Sequence, residues 1–214
     1  MILRAALYVD GFNLYHAIHD LKDNRLKYLS LHQLGQTIIR RKTETLTQVV
    51  YFSAYAHYRS AKDPSVVARH RQYIAALKVT GVEVVLGNFK RKPRQCNKCN
   101  ARWDSHEEKE TDVNIAVRLV ADAFRDQYDV AYVLSADTDL VPAMSFARTV
   151  TGASGLAKEI VAVFPPMQSR NVNLLIQNSD RQIRLNQSHI ANARLVDSIT
   201  LPDGKILTCP PSYL

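Results

Sequence analysis

The sequence predicts an α/β fold, a parallel sheet of about five strands in the order 3-2-1-4-5 held between two layers of helices. Three observations lead there. Five short runs rich in apolar and β-branched residues, Ile2 to Val9, Val49 to Tyr55, Val82 to Leu86, Val130 to Leu134 and Ile160 to Phe164, alternate with segments of helical periodicity, as βα units do when a helix returns the chain to start a parallel strand. The runs are almost continuously apolar rather than alternating, which is the pattern of strands buried on both faces. A length of 214 residues, with 46% hydrophobic and 22% charged content, suffices for one domain with its own core.

The first run ends in Asp10, Gly11, Phe12 and Asn13. Asp10 therefore stands at the carboxyl edge of a strand, Gly11 permits the turn, and Asn13 falls in the first turn of a helix. A second helix is expected over residues 31–41 and a third over 67–79, stopped by Thr80 and Gly81. After the third run, residues 88–103 contain no acid but include Lys90, Arg91, Lys92, Arg94, Lys98 and Arg102, with the sole tryptophan, Trp103, at the end. This stretch reads as a basic loop suited to single-stranded nucleic acid, where cations meet phosphates and a ring stacks on bases. Within it, Cys96 and Cys99 have the spacing of a zinc knuckle, and His106 is a candidate third ligand. Glu107 and Glu108 read as the solvated first turn of a helix whose apolar face is Val113, Ala116, Val117, Val120 and Phe124. Asp112 abuts that face, close to the sheet.

The fourth run breaks into Ser135, Ala136, Asp137, Thr138 and Asp139, followed by a helix with Pro142 in its first turn. After the fifth run, Pro165 and Pro166 stop the strand, and a short helix is expected over 171–178. Pro202, Asp203 and Gly204 signal a hairpin between two short apolar runs. The expected organisation is a domain over residues 1–180, with a basic insert at about 90–106, and an extension, 181–214, packed on the same domain.

Strands one and four are neighbours in the expected order and both end in acids, so Asp10, Asp137 and Asp139 line one crevice and Asp112 reaches it from the helix before strand four. Carboxylates gathered in this way repel unless a cation intervenes, and hard divalent ions take oxygen ligands. Such a site suits phosphodiester hydrolysis. No Gly-rich phosphate loop follows the first strand, which argues against a nucleotide cofactor. Lys and Arg outnumber Asp and Glu 28 to 20, giving a net charge of +8, a balance that favours a polyanionic partner. Three cysteines do not make a disulfide framework, and no run is long enough to span a bilayer, so a reducing cytoplasm is the expected setting.

Three motifs, Val9 to Asn13, Lys109 to Val113 and Leu134 to Leu140, together resemble the NYN domain family, whose members are relatives of the PIN nucleases. The resemblance covers residues 2–180 and implies a Rossmann-like, PIN-like fold with a metal-dependent, acid-lined ribonuclease site. It implies that Asp10, Asp112, Asp137 and Asp139 bind Mg2+ or Mn2+, that Asn13 and Ser135 support them, and that RNA is the partner. The usual glycine of the third motif is Ala136 here. The Cys-x-x-Cys insert and the Pro-Pro pair resemble a bacterial subgroup, some of whose members are labelled 6-hydroxy-3-succinoylpyridine hydroxylases. No residues here point to flavin binding or oxygen activation. A non-catalytic RNA-binding or regulatory module is the remaining alternative.

Overall fold

The computed structural model describes residues 1–168, 172–201 and 203–214. Its strands are β1 (Leu3–Asp10), β2 (Glu44–Ser53), β3 (Glu83–Leu86), β4 (Asn88–Gln95), β5 (Arg102–Lys109), β6 (Val130–Leu134), β7 (Glu159–Phe164), β8 (Arg181–Arg184), β9 (Ser198–Thr200) and β10 (Ile206–Thr208). Helices are α1 (Gly11–Asp20), α2 (Leu31–Ile38), α3 (Val66–Val79), α4 (Thr111–Phe124), α5 (Val141–Ala147), α6 (Asn173–Gln177) and α7 (Gln187–Asn192).

The main sheet has six strands in the order β3-β2-β1-β6-β7-β8, and its pairs are parallel. This is the expected order of the five apolar runs with a sixth strand added beyond the last. The sixth, β8, is short and polar, Arg-Gln-Ile-Arg, as an edge strand exposed on one side permits. It escaped the apolar pattern for that reason.

Successive strand residues feed two separate cores. Ala5, Leu7 and Val9 join Leu14, Ile18, Leu34, Tyr73 and Leu77 on one face, while Ala6 and Tyr8 join Ile115, Leu119, Met144 and Leu175 on the other. Thus α1, leaving β1, and α5, leaving β6, cover opposite faces. Their divergence opens a crevice at the carboxyl ends of two adjacent strands.

Four expectations need correction. The stretch 88–103 is not a loop: β4 and β5 form an antiparallel hairpin with Cys96 to Asn100 at its tip. Glu107 and Glu108 belong to β5, not to a helical first turn. The face that α4 buries is Thr111, Ile115, Leu119, Asp122 and Ala123; of the expected face, Ala116 and Val120 are half-buried against the same core, whereas Val113, Val117 and Phe124 are more than 60% exposed. Both stripes have helical spacing. The inner one is selected because Asp122 is buried against Tyr8, whose hydroxyl donates to it at 2.8 Å, and is paired with Arg118 at 2.7 Å. The expected second helix also ends early, at Ile38. The hairpin expected near residue 203 is present as β9 and β10, although Pro202, like Asn171 at the start of the expected sixth helix, lies outside the described residues.

Candidate active site

Asp10 is the hub of the site. It is the last residue of β1, pairs in register with Phe52, and is 2% exposed. One carboxylate oxygen, Oδ1, accepts from the backbone N–H of Phe12 (3.1 Å) and of Asn13 (3.0 Å), capping α1. The other, Oδ2, accepts from Asn13 Nδ2 (2.5 Å) and Ser135 Oγ (2.8 Å). Asn13 Oδ1 in turn accepts from the N–H of Ala136 at 3.3 Å, and Ser135 Oγ accepts from that of Asp137 at 3.0 Å. The turn after β6 is therefore tied to the turn after β1 through side chains. Gly11 is required at the junction: a Cβ there would stand 2.5 Å from the carbonyl oxygen of Phe52 and 2.7 Å from the Tyr51 ring.

Asp137 caps the turn that leads into α5, its Oδ1 accepting from the N–H of Asp139 at 2.9 Å. Asp139 is exposed, and Asp112 is half-buried in the first turn of α4. The Asp112 carboxyl is pushed up to about 6, first by burial and then by the charges of Asp137, Asp10 and Asp139. A fifth acid joins them. Glu108, on β5, is pushed up to about 8, first by burial and then by Asp112 and Asp10, and its Oε1 is buried without a hydrogen-bond partner. Sequence reasoning missed Glu108 because the extended β5 was read as helix. Strand alternation would have turned it toward the site.

The sheet's two ends are electrostatically opposite. At the amino-terminal edge, Glu44 and Glu159 pair with Arg181, Asp129 with Arg4, and Asp126 with Lys158. At the carboxyl edge, among the described residues, no ion pair involves Asp10, Glu108, Asp112, Asp137 or Asp139; the charges acting on Asp112 are all acidic. This oxygen-only, uncompensated set, with one orphaned carboxylate oxygen, suits a hard divalent cation. As they stand, no three or more of the described His, Cys, Asp and Glu residues converge closely enough to enclose an ion.

The hairpin stands over this edge, with Phe89 and Glu108 paired across it. A row of rings joins the two: Phe12 meets Phe89 edge-on at 5.3 Å, Phe89 meets Tyr58 at 5.0 Å, and Tyr58 stacks on His106 at 4.3 Å. Trp103 is exposed further out, opposite Arg94. Of the basic residues, Arg91 pairs with Asp104, and Lys92 and Arg94 pair with Glu107. Lys90, Lys98 and Arg102 have no carboxylate partner among the described residues.

His106 does not reach the cysteines. It lies opposite Arg91, four residue pairs from the Gln95–Arg102 pair that borders the tip, or about 14 Å along the strands. Cys96 and Cys99 are together at that tip, where backbone N–H groups of Cys99 and Lys98 hold the Cys96 thiol below its usual range.

The NYN domain sequence model matches residues 4–185. Among curated proteins, a 6-hydroxy-3-succinoylpyridine 3-monooxygenase of Pseudomonas putida (strain DSM 28022 / S16) is 28% identical over 182 residues, covering 70% of this chain. The match spans only 57% of that relative's length. A solved structure of a protein of unknown function from Vibrio parahaemolyticus superposes with a TM-score of 0.55 at 16% identity, covering 87% of this chain and 94% of that one, a likeness of fold alone.

Proposed function

The chain belongs to the NYN domain family, and from that premise we propose that it is a metal-dependent ribonuclease cleaving RNA phosphodiester bonds. NYN domains are a family of PIN-like nucleases that act on RNA. The observation that carries the finer reading is the contrast between the two sheet edges: acids at one end are matched by Arg and Lys, and acids at the other have no cationic partner among the described residues.

Asp112, Asp137 and Asp139 would hold Mg2+ or Mn2+, and Asp10 would complete the set while anchoring Asn13 and Ser135. A divalent ion so held supplies a water of lowered pKa and neutralises charge developing on the phosphate. Asn13 and Ser135 keep the Asp10 carboxylate aimed and lock the two turns together. Lys90, Lys98 and Arg102 hold backbone phosphates, while Trp103, Tyr58 and His106 offer rings to the bases. Glu108 adds a fifth carboxyl beside Asp112. Zinc at Cys96 and Cys99 would need two further ligands from outside the hairpin tip. Metal analysis of the wild type against Cys96→Ser checks this.

The decisive experiment incubates labelled single-stranded RNA with the protein and manganese, and repeats it with Asp10→Asn and Asp137→Asn. Cleavage by the wild type that both variants lose, with RNA binding retained, is the expected result. Equal cleavage by all three would sink the proposal, and binding without cleavage would make the chain a non-catalytic RNA-binding module. The name of the Pseudomonas relative favours a second reading, hydroxylation of 6-hydroxy-3-succinoylpyridine. A flavin absorbance in the purified protein, or NADH consumption with that pyridine, checks it.

A further inference from the structure

Beside Gly11 and Phe12, α1, α3 and the end of β2 line a partly open pocket of about 100 Å³. Its walls are aromatic. Tyr51 and Tyr73 are buried and meet edge-on at 6.0 Å, Tyr15 comes from α1, and Tyr213 arrives from the short turn Pro211–Tyr213. Two polar groups face it: the His70 ring, with Nε2 3.4 Å from Ser53 Oγ, and Ser53 itself. Burial lowers His70 to about 4, so the ring is neutral at physiological pH and offers one donor and one acceptor.

Three cations also line this otherwise apolar space: Lys27, Arg59 and Arg69. Arg69 is paired with Asp63, yet its Nε is buried without a partner. Among the described residues neither Lys27 nor Arg59 forms an ion pair with a carboxylate. The Lys27 ammonium is pushed down first by burial and then by Arg69 and Arg59. Like charges converging on a ring-lined cavity call for an anion attached to something flat and apolar. The size selects further, since a cavity of about 150 Å³ holds one benzene ring and this one is of the same order.

We propose that the cavity is a subsite for a pyrimidine nucleotide, its ring between the tyrosines and its phosphate at Lys27 and Arg59. The assignment of that nucleotide to an RNA substrate rests on the ribonuclease reading. It places one base of the strand against Gly11 and Phe12, the residues that follow Asp10 in the chain, so that the subsite chooses which bond meets the acids. Stacking on rings tolerates every base, whereas a pocket of this size with the polar edge of Ser53 and His70 suits a single ring.

The test titrates UMP, AMP, nicotinate and inorganic phosphate calorimetrically into the wild type in chelator, and into a Lys27→Ala/Arg59→Ala variant of unchanged melting temperature. The subsite requires UMP to bind at least about tenfold more tightly than AMP or phosphate, and the variant to lose about tenfold. AMP or phosphate equal to UMP, nicotinate tighter than UMP, or an unweakened variant overturns it. Mapping cleavage sites on RNA separates the two proposals. Metal-dependent cleavage without UMP binding overturns the subsite alone, and UMP binding without any cleavage overturns the ribonuclease reading while the nucleotide site stands.

Discussion

Asp10 ties the end of β1 to the turns that follow β1 and β6. Its carboxylate accepts four hydrogen bonds while 2% exposed; these offset in part the upward push that burial, and then the charge of Asp137, give to its carboxyl. Of the acids around it, Asp137 accepts a single backbone N–H, that of Asp139, and that difference marks Asp10 as the fixed point of the site. His70 carries the pH prediction at this scale. Its folded value of about 4 lies below the ordinary 6.5, so between those values the unfolded chain binds more protons than the folded one. Stability therefore rises with pH through that window and falls as pH drops from 6.5 toward 4, by on the order of 3 kcal/mol. Denaturant titrations of the wild type and His70→Gln across pH 4–7 should show a slope that the variant has lost. Strand and turn logic alone placed Asp10, Asp137 and Asp139 at strand ends. Glu108 was illegible because acids before a helix are common and only the hairpin register turns that one inward.

Two elements carry predictions. In α4, Leu119 is fully buried and Val117 is 62% exposed. Leu119→Ala should cost about 2–5 kcal/mol in chemical denaturation, whereas Val117→Ala should stay within about 0.5 kcal/mol. Reversed effects would restore the outer stripe as the buried face. In the hairpin, half the cations are engaged across β4 and β5, so only the unengaged ones remain for phosphates. Replacing Lys90, Lys98 and Arg102 together by Ala should weaken single-stranded RNA binding and reduce the salt slope by roughly 2, at about 0.7 for each phosphate no longer neutralised. The melting temperature should be unchanged. Basic composition was visible in the sequence. Its partial cancellation was not, because Asp104 and Glu107 lie far along the chain from the residues they neutralise, and antiparallel pairing alone brings them opposite.

At the scale of the molecule, the sheet is polarised. Its amino-terminal edge is closed by a buried network in which Arg181, on the edge strand β8, pairs with Glu44 at 2.8 Å and with Glu159, and the Tyr132 hydroxyl donates to Glu44. Glu44 is 3% exposed. Arg181→Ala leaves that carboxylate buried and unpaired, and should cost about 3–5 kcal/mol. A melting temperature equal to the wild type's would show that β8 closes nothing. At the carboxyl edge the acids have no ion-pair partner among the described residues, and packing elsewhere stabilises the fold against their mutual repulsion. Residues beyond the predicted limit of 180 also enter the core: Leu185, Ile190, Leu195 and Cys209 pack with Leu7 and Tyr73, and Tyr213 lines the tyrosine cavity.

What the sequence determined by itself is whatever neighbours along the chain decide. Continuous apolarity made buried parallel strands, and a residue following such a strand must stand at its carboxyl edge, so Asp10, Asp137 and Asp139 were legible. The α4 stripe was misleading because both faces have the same period and the buried one carries Thr111 and Asp122, which makes it the less apolar of the two. Only tertiary structure decided which stripe turned inward, that Glu108 joined the acids, that half the basic residues of the hairpin stretch were already paired, and that tyrosines from α3, β2 and the last turn line one pocket. Each of these depends on the register between segments distant in sequence, where side-chain partners are chosen by the packing of the whole sheet and not by spacing along the chain.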